Sequence, residues 1–110
     1  MKFVKRLYAG FQWEPDEVYA MDKSRRHYLF DGRVQGVGFR FTAKMFADTI
    51  GLTGWIMNCY DGKVEMEIQG SEEQIDRMIE KLLNSKSIRI TDMKMNQVEM
   101  VKEDKFLIRY

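Results

Sequence analysis

A chain of 110 residues and 13.1 kDa, 45% hydrophobic and 32% charged, suffices for one soluble domain with one core. Its 18 Lys and Arg against 17 Asp and Glu exclude a bulk electrostatic pull toward polyanions, so any anion site must be local. No apolar run approaches the roughly 20 residues of a membrane span, no signal-peptide stretch follows Lys2, Lys5 and Arg6, and the lone Cys59 excludes an internal disulfide. A cytoplasmic, membrane-free monomer is expected.

Residues 1–26 read as an N-terminal extension and 27–110 as the domain. Pro15, Asp16 and Glu17 suit the first turn of a short helix, and Arg25 and Arg26 are expected to face solvent. Met21 offers an alternative start, since every candidate site residue follows it. From His27 to Val34 the pattern alternates, with Tyr28 and Phe30 on one face, which predicts a strand. After the turn Gln35-Gly36-Val37-Gly38, the apolar stripe Phe39, Ala43, Phe46, Ala47 and Ile50 predicts a helix that Gly51 ends.

Leu52–Asn58 and Lys63–Gln69 predict two strands joined at Asp61-Gly62, read as a type I′ hairpin turn. Ser71 and Gln74 form a capping-box pattern for a second helix with the stripe Ile75, Met78, Ile79, Leu82 and Leu83. Ile88 to Val101 predicts a long strand whose apolar phase shifts between Ile90 and Met93, the mark of a bulge or bend. Phe106, Ile108 and Tyr110 predict a last short strand. The order is that of an α+β, ferredoxin-like (βαββαβ) sandwich, an antiparallel sheet with two helices on one face and an extra C-terminal strand.

The segment 35–40 is the candidate anion cradle. A strand, a glycine turn and a helix start aim unpartnered N–H groups and the positive end of the helix dipole at one point. Gly36 and Gly38 permit close backbone approach, and Arg40, unfavourable beside a helix N-terminus on its own, becomes sensible with a phosphate dianion between. The bland alternative, a solvated arginine after an ordinary turn, fits the short string Gly36-Val37-Gly38-Phe39-Arg40 as well. The longer string Gly32-Arg33-Val34-Gln35-Gly36-Val37-Gly38-Phe39-Arg40 resembles the phosphate-loop signature of the acylphosphatase family. Gly51-Leu52-Thr53-Gly54-Trp55-Ile56-Met57-Asn58, then Asp61-Gly62-Lys63-Val64-Glu65, and the aromatic ending Phe106–Tyr110 resemble its other blocks.

That resemblance implies an enzyme hydrolysing the carboxyl–phosphate bond of small acyl phosphates to carboxylate and inorganic phosphate. Arg40 and the residues Gln35, Gly36, Val37, Gly38 and Phe39 would bind phosphate, and Asn58 would orient the attacking water. Neither metal nor cofactor is implied. A carboxylate leaving group, with the acidity of Asp or Glu, departs without protonation, so a site without His or paired acids is chemically competent. His27 and Cys59 read as structural residues, Trp55 and the methionines as core, and Glu65 and Glu67 as solvated strand residues. The chief alternative is a non-catalytic phosphate- or RNA-binding module, with Tyr28 and Phe30 as a stacking platform beside Arg25 and Arg26. A second is an accessory domain like that of carbamoyl-transfer maturation proteins. Against RNA stands the balanced charge, and Asn58 has no purpose in that reading.

Overall fold

The computed structural model describes residues 23–110, so the helix expected near Pro15 and the start at Met21 lie outside the described residues. The described chain runs β1 (Lys23–Arg33), α1 (Phe39–Ile50), β2 (Thr53–Asn58), β3 (Val64–Ser71), α2 (Glu72–Leu83), β4 (Arg89–Val98) and β5 (Phe106–Arg109). The five strands form one sheet in the order β4-β1-β3-β2-β5. This is the expected ferredoxin-like α+β plan with one refinement: β5 runs parallel to β2, so the sheet is mixed.

The core follows from strand alternation. Tyr28 and Phe30 of β1, Ile56 of β2 and Met66 of β3 point to one face, where α1 and α2 cover them with Ala43, Ala47, Ile75 and Met78. Tyr28 stacks on Phe30 with centroids 5.6 Å apart, and Phe30 meets Phe39 at 5.2 Å. The residues offered as an RNA platform are thus interior, and that reading loses its aromatic surface. No described helix is long and apolar enough to cross a membrane.

Both helix ends match their residues. Gly51 caps α1 by donating to the Ala47 carbonyl, and Ser71 and Gln74 form a complete capping box at α2. The phase shift of β4 is a bulge: Asp31 pairs with Asp92 but Gly32 with Ile90, leaving Thr91 as the extra residue.

Several expectations are corrected. Strand β1 begins at Lys23 rather than at His27, and Arg25 is only 2% exposed. It pairs across strands with Gln69, on the sheet face opposite the core, and its guanidinium reaches Glu67 (2.7 Å), Gln69 and Glu103. Arg26 likewise bonds Tyr28 and Asp76, Glu67 is an ion-pair partner rather than a free solvated acid, and Glu65 is hydrogen-bonded to His27. The hairpin between β2 and β3 is not type I′, since no described residue other than glycine has positive φ. Gly62 donates to the Cys59 carbonyl at 3.3 Å and has φ 92°, giving a three-residue loop with glycine in the left-handed position. Leu83 is 50% exposed, on the rim of an open groove that it lines with Tyr28, Met93 and Met95 of the sheet. Met66 and Met78 are core, but Met93 and Met95 are exposed on edge strand β4, and Trp55 lies half-buried on the far face beneath Arg109.

Candidate active site

Buried Val34 directly follows β1, and Phe39, 2% exposed, fixes the start of α1 against Phe30. Between these anchors the chain turns through Gly36 (φ 71°) and Gly38 (φ 77°), conformations costly to any residue with a Cβ. Gly38 is the N-cap of α1, and it has no side chain to satisfy the helix amides. No acid occupies the first turn. Among the described residues, none of the backbone N–H groups from Gly36 to Phe41 donates to a carbonyl or side chain; the first helical bond is Thr42 N–H to Gly38 at 2.9 Å. Unpartnered amides and an uncompensated dipole end are an anion-binding arrangement.

These groups open on a cavity of about 220 Å³ lined by Gly36, Gly38, Arg40, Asn58, Ile108 and Tyr110, with Val34, Phe39 and Phe41 completing the wall. Arg40 and Asn58, 18 positions apart in sequence, therefore share one small cavity. Asn58 arrives there as the last residue of β2, one position before the chain leaves the sheet. The Arg40 guanidinium rests 5.1 Å from the Tyr110 ring centroid and has no carboxylate partner among the described residues. Tyr110 and Ile108 were not among the candidates. Their alternation with Phe106 signalled a shared face, but only the parallel pairing of β5 beside β2 brings that face to the cavity.

Not every candidate lines the cavity. Val37 packs against the core, and the Gln35 side chain turns to the hairpin, where Nε2 donates to the Cys59 and Lys63 carbonyls. His27 bonds Glu65 at 2.6 Å on the far sheet face, away from the cavity. Burial pushes the Cys59 thiol up, with the charges of Glu65 and Asp61 adding to it and Lys63 partly opposing. A neutral thiol is a poor nucleophile and a packing residue.

The fold is an α+β domain in which the glycine turn, Arg40 and Asn58 line one cavity. A family sequence profile for acylphosphatases matches residues 26–108. The chain is 35% identical over 86 residues to an acylphosphatase of Pediococcus pentosaceus, spanning 76% of this chain and 96% of that one. It is 45% identical to one of Bifidobacterium longum over 58 residues, 53% of this chain and 60% of that relative's length. Among solved structures, it superposes on the acylphosphatase of Bacillus subtilis with TM-score 0.72 at 35% identity, covering 78% of this chain and 98% of that one. The acylphosphatase of Coxiella burnetii gives TM-score 0.77 at 25% identity, covering 83% and 97%. Full-length HypF gives 0.72 at 24% identity over only 12% of its length, a likeness of fold. The chain belongs to the acylphosphatase family of enzymes.

Proposed function

We propose that this protein hydrolyses the carboxyl–phosphate bond of small acyl phosphates, with Arg40 and the amides of residues 36–41 holding the phosphoryl group and Asn58 placing the water. The observation that carries this reading is the convergence of an arginine without a carboxylate partner among the described residues, a helix N-terminus without a side-chain cap and Asn58 on one cavity. Arg40 and the amides are donors only, so they suit a phosphoryl group and neutralise charge on its equatorial oxygens. The planar guanidinium, supported by the Tyr110 ring, bonds two of those oxygens.

The Asn58 amide both accepts and donates, so its oxygen accepts a hydrogen bond from water while its NH₂ donates one to a phosphoryl oxygen. It is no base. Its contribution is proximity: it holds water in line with the bond that breaks. The water O–P bond forms as the P–O bond to the carboxylate breaks; the carboxylate leaves unprotonated and the water's protons stay with the inorganic phosphate, so no general acid is needed. We place the enzyme's substrates among soluble metabolites of the cytoplasm and its working form as a monomer.

The experiment is hydrolysis of an aryl acyl phosphate in ¹⁸O-enriched water with chelator present. A cradle that holds phosphorus for in-line attack predicts chelator-insensitive turnover with the label in inorganic phosphate. Label in the carboxylate would mean attack at the carbonyl carbon and would overturn the assigned roles.

A further inference from the structure

The two halves of the cavity come from segments that share no ladder. The cradle follows β1 and Asn58 ends β2, and β3 lies between those strands in the sheet. Something must set the distance between cradle and amide.

Gln35 is placed to do so. Its Nε2 donates to the Cys59 carbonyl at 2.8 Å and to the Lys63 carbonyl at 2.8 Å. Those carbonyls flank the β2–β3 loop, and the Cys59 N–H also donates to Lys63 at 2.8 Å. One carboxamide thus closes the mouth of the hairpin, with Asn58 the residue directly before Cys59. Among the described residues no other hydrogen bond joins residues 34–41 to residues 57–63. Both hydrogens of Nε2 are committed, and the remaining Oε1 is an acceptor that repels an anion. The side chain cannot serve as a phosphate donor while these bonds hold.

We propose that Gln35 is a positioning residue, which fixes the Asn58 amide relative to the cradle and acts on turnover through Asn58 rather than by binding phosphate. This rests on the function proposed above. The two parts of the site then separate experimentally. Cradle and Arg40 belong to the turn and α1, so phosphate affinity survives loss of the Gln35 bonds. The in-line water depends on the hairpin staying in place, and misplacement by an ångström costs turnover.

The test compares wild type with Gln35→Met and Gln35→Glu, which lack the donor, and Gln35→Lys, which restores one. Readouts are kcat on an aryl acyl phosphate, the inhibition constant of inorganic phosphate, and thermal unfolding. The donorless variants are expected to lose roughly 10–100-fold in kcat with phosphate inhibition changed by less than about threefold. Gln35→Lys should recover most of that loss, and Gln35→Met added to Asn58→Ala should slow the enzyme no further. Phosphate affinity falling in step with kcat would make Gln35 a ligand and overturn the inference. So would unchanged kcat with only a lower unfolding temperature, the mark of a merely structural staple. Inactive wild type would overturn the functional reading and this inference together, whereas active wild type with those variant results overturns this inference alone.

Discussion

Arg40 stands in the first turn of α1, where the helix dipole disfavours a cation by about 0.3–1 kcal/mol, and its contact with the exposed Tyr110 ring returns about 0.5–1 kcal/mol. The two nearly cancel, so Arg40→Ala is expected to leave stability within about 1 kcal/mol of wild type while removing function. Cys59 makes the opposite kind of prediction, one about inertness. Burial, then the neighbouring Glu65 and Asp61, raise its folded-state pKa, so the folded protein holds that proton more tightly than the unfolded chain. Its stabilising contribution is full below the unfolded thiol pKa of about 8.5 and is lost as pH rises through the higher folded value. The rate of reaction with a disulfide reagent should accordingly have its pH midpoint above that of a free cysteine peptide. A midpoint at or below the peptide's would contradict the burial account.

At the scale of elements, the connection from β4 to β5 is held to the far face of the sheet by two side chains. Gln69 exchanges hydrogen bonds of 2.8 and 2.9 Å with the Val101 backbone, and Arg25 meets Glu103 and Glu67. Burial works against the Arg25 charge, but its bonds and attraction to Glu103 and Glu67 outweigh that and raise its pKa. The carboxylates keep about a fifth of their exposure, so they are partly hydrated without it. Arg25→Ala is therefore expected to cost about 3 kcal/mol, the low end for breaking a buried ion pair. Urea unfolding measures it, and a change under 1 kcal/mol would show that the cluster is solvated instead. This cluster was not legible in the sequence. Arg25-Arg26 precede the first clear alternation, and burial of an arginine depends on Glu67 and Glu103, 42 and 78 residues away. The helix caps were legible, because Gly51, Ser71 and Gln74 act on bonds within four residues of themselves.

At the scale of the whole molecule, the same division between local and distant interactions decides what could be read. The cradle is one continuous segment, so Gly36, Gly38 and Arg40 announce themselves by spacing; so does the β4 bulge, through the shift from Ile90 to Met93. The order β4-β1-β3-β2-β5 and the parallel approach of β5 have no local signal, and with them went Ile108, Tyr110 and the Gln35 staple. Exposed Met93 and Met95 were misplaced for a related reason, since alternation gives a face but not whether the helices reach the sheet edge. The central claim is that this topology delivers two groups with separate tasks to one cavity. Its most direct test measures kcat and the inorganic phosphate inhibition constant for Arg40→Ala and Asn58→Ala beside wild type. The account predicts that Arg40→Ala loses at least about 10²–10³ in kcat and loses phosphate affinity, whereas Asn58→Ala loses kcat on that scale and keeps the affinity. Near-normal turnover in either variant would contradict it.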